Sequence, residues 1–329
     1  MSTAYLSRLD GPVSEANDPY HDWDDRPSPG GPRQSFLHDV PRFYGDSSIK
    51  NAVMTHGALH TSMYMSGSYY NVGDYTYYYN GTEDTNHAVA IAGWDDTKVT
   101  AGGTGAWLIK NSWDTTFGDN GYFWISYADT KACAYGASFQ STDTRVDGVH
   151  CHDEFGSVDS FNNPYAFNVF QTTQAEYLTS VGFYTEADGA GYDVRIYDTL
   201  AAGSPSGLLS QETGTIDTTG YHVVDLASDV ALGDNDDFVV YVHITNGGTY
   251  PMSVDYRIDG YNSSSTASLG ESFYSFDGLS WTDVTTVTVP GVTYSETINF
   301  SIKAFTVVPE PTTLILVTVV GLAVVRRRR

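Results

Sequence analysis

The sequence predicts a mainly β chain, α+β overall, and three observations carry that prediction. Two short apolar runs, residues 87–94 and 106–109, are uncharged and bounded by Gly and Asp, as strands buried on both faces are. From about residue 148 the texture changes to short alternating segments divided by turn signals, the pattern of a β-sandwich or jelly-roll module. The chain closes on an apolar run, residues 312–325, set against four arginines, which predicts a C-terminal hydrophobic helix.

Taken in order, residues 2–10 read as one or two turns of helix or as an extended arm. Residues 11–42 are rich in Pro, Asp and Gly around DWDDRPSPGGPR and read as surface loop. Asp46 and Ser47 are placed to cap a short helix over 48–56, with Ile49, Ala52 and Val53 as its apolar stripe and Gly57 ending it. Leu59, Thr61 and Met63 then alternate with His60, Ser62 and Tyr64, as in a half-buried strand. The Tyr-rich run 69–79 reads as a polar-aromatic surface loop, with the border of a substrate cleft as the competing reading. After the turn 118–121, residues 122–127 form the next antiparallel strand. In the second module the strands fall at 165–171, 178–184, 192–197, 221–226, 238–244 and 298–305. The turn signals fall at Asp188-Gly189, at 203–207 and at Asp277-Gly278.

The 329 residues suffice for two domains with cores of their own. A net charge of -24, from 40 acidic and 16 basic residues, excludes nucleic acid as a partner. Neither a cofactor nor a metal is expected. The cluster from His150 to Glu154 invites a metal, but a strand there places His150 and His152 on one face and Cys151 on the other. No second cluster supplies the ligands a closed site needs, so the reading is a linker strand. Asp234, Asp236 and Asp237 lack the Gly and terminal Glu of a calcium loop and read as a charged hairpin turn. The two cysteines, Cys133 and Cys151, suit one disulfide in an exported protein, or two small buried residues.

The segments NHAVAIAGWDD and GAWLIKNSWDTTFGDNGYFWISY resemble the His- and Asn-bearing motifs of the papain family of cysteine peptidases. The resemblance implies that His87 is the catalytic base, Asn111 its orienter and Trp113 the shield of their hydrogen bond. The imidazole would pair with a thiol and hold it as thiolate, the reactive form. The competing reading makes His87 a core histidine and Asn111 a turn residue. In the family the reactive Cys precedes the His by on the order of 130 residues, whereas no Cys stands before His87 here. Neither Cys133 nor Cys151 has the local signature of a nucleophile. The stretch AYLSRLDGPVSEANDPY resembles the segment after the catalytic helix of some bacterial members. The expectation is therefore a truncated papain-like β-barrel half whose first residue falls inside a domain.

The second module resembles the lectin-like domain that follows bacterial papain-like peptidases, notably in SLGESFYSFDGLSWTDV and IKAFT. The ending VPEPTTLILVTVVGLAVVRRRR resembles the PEP-CTERM sorting tail of some Gram-negative bacteria, which exosortase-type enzymes process during export. As a helix, residues 312–325 span roughly 21 Å, short of a bilayer core of about 30 Å. Snorkelling arginines make up part of the deficit. Residues 1–30 carry no signal-peptide core. The expected domains are 1–147, 148–306 and 307–329.

Three functions compete on this reading. The first is an exported papain-like peptidase, inactive as this truncated chain, and the second a cell-surface binding protein with a decayed peptidase domain. The third makes residues 1–145 an unrelated β-rich structural domain. Expected partners are a peptide or protein substrate, a glycan or surface polymer at the second module, an exosortase-type enzyme, and membrane at the tail.

Overall fold

The computed structural model describes residues 2–14, 16–17 and 33–310. The expected apolar helix over 312–325, its flanking arginines and residues 18–32 of the expected loop over 11–42 lie outside the described residues, and the end of that loop is instead a strand, Phe36–Phe43, whose burial in pairs leaves no alternation to read. No helix among the described residues is long and apolar enough to cross a membrane. The chain is mainly β and divides into two compact units, Asp39–Gln140 and Met1–His38 with Ser141–Arg329.

In the Asp39–Gln140 unit one helix, Asp46–His56, buries Ile49 and Ala52 one turn apart. It starts at Asp46 behind Gly45, with no side-chain cap, so Asp46 and Ser47 belong to the first turn and do not cap it. At the other end Gly57 closes the helix, its N–H on Val53 O at 3.0 Å. The sheet of this unit runs Gly136–Ala137, Leu59–Met63, His87–Thr100, Gly103–Lys110, Tyr122–Ser126, Thr76–Tyr77 and Tyr70–Asn71. All its pairings are antiparallel except that of Thr76–Tyr77 with Tyr122–Ser126.

Burial in the two central strands alternates, with Val89, Ile91, Trp107 and Ile109 inward and Ala90 and Leu108 only half-buried. The expectation of two fully buried faces thus overstates the cover on the second face. The Tyr-rich run is also more internal than a surface loop. Tyr77 and Tyr79 are core residues, and Tyr77 donates its hydroxyl to Tyr64 O at 2.6 Å. Its alternation is broken by the turn at 72–75 between Tyr70–Asn71 and Thr76–Tyr77, which hides the inward face from a pattern reading.

The other unit is a sandwich of two larger sheets, with a small third sheet of Asp159–Phe161, Met252–Asp255 and Asn299–Phe300. One orders Gly148–Cys151, Lys303–Val307, Glu176–Thr185 and Gly220–Leu232; the other orders Ser204–Ile216, Ala190–Ala201, Asp237–Thr245, Tyr165–Gln171, Ser272–Ser275 and Thr282–Asp283. Leu178, Val181 and Phe183 from the first meet Val194, Ile196, Val240 and Val242 from the second in one buried cluster. The short N-terminal piece is helical over Ser2–Ser7, one of the two readings open in the sequence.

Two departures from the sequence reading have physical causes. Residues 203–207 were expected to be a turn, yet only Ala202 and Gly203 turn, and Ser204–Ile216 runs on as a long edge strand. That strand is exposed almost throughout, so it carries no hydrophobic alternation to read. The expected strand over 298–305 is split into Asn299–Phe300 and Lys303–Val307, which pair in different sheets. Both pieces are buried apart from Val307, and Ile298, Phe300 and Ile302 alternate with Asn299, Ser301 and Lys303 without a break, so the pattern conceals the change of sheet.

Candidate active site

His87 opens its strand opposite Met63, at a point fixed by the residue before it. Asn86 donates its backbone N–H to Met63 O at 3.0 Å and its side-chain amide to Met65 O at 3.2 Å. Its Oδ1 accepts from Met65 N at 2.7 Å. Sequence reading missed this clamp, although the amide directly before His87 was its visible signal.

Asn111 stands just past the Gly103–Lys110 strand, 3% exposed, with its N–H on Gly121 O at 2.9 Å. The structure brings it to His87, with Nε2 of the imidazole 2.8 Å from Asn111 Oδ1. The same Oδ1 accepts the Ser112 backbone N–H at 2.8 Å. A backbone N–H can only donate, so that atom is the amide oxygen, and an oxygen acceptor obliges Nε2 to carry the proton. The lone pair of the neutral ring therefore lies on Nδ1, free to take a proton from a nucleophile. Asn111 Nδ2 is buried without a partner among the described residues, which costs about 1–3 kcal/mol. An amide kept in the interior at that cost points to a role beyond packing.

Trp113 covers the pair. Its ring centroid lies 4.7 Å from that of His87 at an interplanar angle of 32°. Beneath it Phe117 makes an edge contact at 5.2 Å, stacks on Tyr70 at 5.0 Å, and meets Phe123 at 5.5 Å. Phe117 is a supporting residue that the motif contained and the sequence reading left unassigned. The loop between Asn111 and Gly121 is held by Asp114, whose Oδ1 accepts from the Thr115 hydroxyl and from the Thr115 and Thr116 N–H groups. The Thr115 hydroxyl above all, with those N–H groups, keeps the Asp114 carboxyl below the usual carboxylate range. Gly118 is required at its position, with φ at 61° and an added Cβ only 2.1 Å from Tyr122 O.

Both cysteines are free thiols. Cys133 is part of the Asp39–Gln140 core, and burial pushes its thiol well above its ordinary value. Cys151 is pushed up to about 11, chiefly by burial and only partly offset by Lys303. At pH 8 each holds far less thiolate than an open cysteine, and for Cys151 the deficit is about a hundredfold. Native alkylation at pH 8 is accordingly expected to leave both unmodified while denatured protein takes two labels. Rapid native labelling of either thiol would contradict this.

The metal-like cluster has other uses. His150 Nε2 pairs with Glu176, His152 Nε2 lies 2.8 Å from Val169 O, and both rings pack on Phe170. Among the described residues no group of three or more His, Cys, Asp or Glu is placed to hold a metal ion. Asp236 turns its carboxylate back on Gly233 N at 3.0 Å, within the turn between two strands.

Residues 2–142 match the model of the papain family cysteine proteases, and residues 149–306 that of the lectin like domain. The chain carries a papain-family domain followed by a lectin-like domain. The same pair occurs in the solved structure of the cysteine protease and lectin-like domains of Cwp84, a surface layer associated protein of Clostridium difficile. That structure is 28% identical, with a TM-score of 0.79 over 94% of this chain and 73% of that one. A clostridial Cwp84 structure after propeptide cleavage is 27% identical, with a TM-score of 0.80 over 93% of this chain and 81% of that one. Among curated proteins, cathepsin S of Rattus norvegicus is 30% identical over 148 residues, covering 40% of this chain and 41% of its own length. Peptidase 1 of Euroglyphus maynei is 49% identical over 43 residues, 13% of this chain and 12% of its own length. The chain thus spans well under half of each of these two curated relatives.

Proposed function

We propose that the papain-family domain supplies the base and orienting half of a cysteine-peptidase site for peptide-bond hydrolysis, in a protein exported to the cell surface. One observation carries the reading. Asn111 fixes the tautomer of His87 so that Nδ1 is the basic atom, under a Trp113 lid. A thiol set against Nδ1 would give up its proton to the ring and attack the substrate carbonyl as thiolate. The imidazolium would then protonate the leaving amine, and water would release the acyl group. Cys133 and Cys151, buried and held as thiols, do not fill that role, so these 329 residues alone do not turn peptides over. Joining to residue 1 a papain-type segment that carries the Cys should give a peptidase blocked by thiol-directed inhibitors. No hydrolysis by that fusion, once folded, would sink the reading.

The second reading, a surface-binding protein, draws support from the lectin-like module. A cleft of about 710 Å³ is lined by Asp159, Ser160, Asn162, Tyr250, Tyr274 and Phe276, among others. Tyr250 and Phe276 are 56% and 62% exposed, and open aromatic faces beside hydroxyl, amide and carboxylate groups suit a glycan or similar surface polymer. A Tyr250→Ala, Phe276→Ala double variant should lose at least tenfold in affinity for any polysaccharide the chain retains. Equal retention by the variant, or none by a folded wild type, would remove this reading.

The tail fits the same location. Residues 308–329, with a Pro-Glu-Pro motif, an apolar run and four Arg, would hold the chain at a membrane until an exosortase-type enzyme processes it, with Arg326–Arg329 on the cytoplasmic side. That the solved relative is described as surface layer associated supports a surface location. Fractionated cells should show the full chain with the membrane and a chain ending at residue 307 in the soluble fraction. Equal solubility of the two would end the anchor proposal.

A further inference from the structure

The lectin-like domain buries a lysine against an aspartate. Cys151 and Lys303 oppose each other in the antiparallel pairing of Gly148–Cys151 with Lys303–Val307, and Asp153 follows two residues on. The side chains of Lys303 and Asp153 are both fully buried, and Nζ donates to Oδ2. As an ion pair the arrangement is badly under-satisfied. An ammonium has three N–H donors, and among the described residues its acceptor is Asp153 Oδ2. Asp153 Oδ1 is buried with no partner among the described residues. Two ions out of water with unfilled valences are costly, because their attraction repays desolvation only when the remaining valences are satisfied. A secondary amide would carry no charge, one N–H and one C=O.

We propose that Lys303 and Asp153 condense into an amide crosslink between Nζ and Cγ, tying the strand that ends the domain to the segment that begins it. The ion pair first passes one proton from Nζ to the carboxylate, giving amine and carboxylic acid. The Nζ lone pair then forms a bond to Cγ. The Cγ–O bond breaks, the departing hydroxyl takes a second proton that began on Nζ, and one water leaves. No oxidant or co-reactant is needed. The third group of the site is the Tyr221 hydroxyl, which is buried beside the Ser7 side chain and makes no hydrogen bond of ordinary geometry among the described residues. It lies over Gly182, the register partner of Lys303, where an added Cβ would stand 2.2 Å from that oxygen. Burial holds the phenol protonated, its pKa well above the ordinary value, and the Asp153 charge is among those acting on it. It is thus the relay for the second proton, giving its own to the departing oxygen and taking the one from Nζ.

The test is the intact mass of the full chain, purified as a folded monodisperse fraction and then completely unfolded. The expected mass is that of the sequence less one water, with a branched peptide joining Lys303 to Asp153 after digestion. The crosslinked chain should also run faster on a denaturing gel. Asp153→Asn should still close, now with loss of ammonia, whereas Asp153→Ala and Lys303→Arg should keep their sequence masses. Tyr221→Phe should close at least tenfold more slowly, and an unchanged rate would remove the hydroxyl from the scheme. A folded wild-type fraction that keeps its full sequence mass after days overturns the crosslink and leaves an ordinary buried ion pair. That measurement decides the question even where a variant fails to fold.

Discussion

In a fusion that carries the reactive thiol, His87→Ala is expected to lower kcat/KM by about a thousandfold, roughly 4 kcal/mol of transition-state stabilisation. In such a fusion the imidazole would have two duties, taking the thiol proton and returning it to the leaving amine. Asn111→Ala should cost less, about tenfold to a hundredfold, because it frees the ring to rotate and change tautomer without removing the base. Its effect on stability should be small, within about 1 kcal/mol. The substitution loses a hydrogen bond to His87 but also removes the buried, unpartnered Nδ2. Activity and stability should therefore part company at Asn111, as measured by single-turnover kinetics beside thermal melts. A histidine serving only as a core residue would show the reverse, with His87→Ala lowering the melting temperature and leaving turnover alone.

The pair was legible in the sequence because the residues that build it lie in two short segments joined by one hairpin. His87 opens one strand, Asn111 ends the next, and antiparallel pairing brings them together. The tautomer was not legible, since it depends on the Ser112 N–H that claims the other side of Asn111 Oδ1. Nor was the Lys303–Asp153 contact, for it joins residues 150 apart. In the second module the central strand Tyr165–Gln171 reads directly from its apolar content. The edge strand Ser204–Ile216 does not, because its place in the sheet is fixed by backbone pairing to Ala190–Ala201 and not by burial. Periodicity reports which side chains are covered, and it is silent where only main-chain bonds hold a segment.

Phe123→Ala is expected to have the largest effect on stability, about 3–5 kcal/mol. The ring is 1% exposed and lies in the core of the Asp39–Gln140 unit. Its removal leaves a cavity beneath Phe117, Tyr70 and Tyr77, whose rings contact it at 5.5, 6.1 and 6.5 Å. Phe117, itself stacked on Tyr70, is the ring that supports Trp113, so the loss propagates to the His87–Asn111 pair. Trp113→Ala makes the needed contrast. That ring is 45% exposed, and deleting it should cost less than about 1.5 kcal/mol while opening the His87–Asn111 bond to water. Hydrogen exchange separates the two. In Phe123→Ala the amides of Gly103–Lys110 should lose more than about a hundredfold in protection, as that cost requires. In Trp113→Ala they should stay near wild type. Equal protection in Phe123→Ala and wild type would mean that the aromatic stack stands without Phe123, and the packing account of the site would fail.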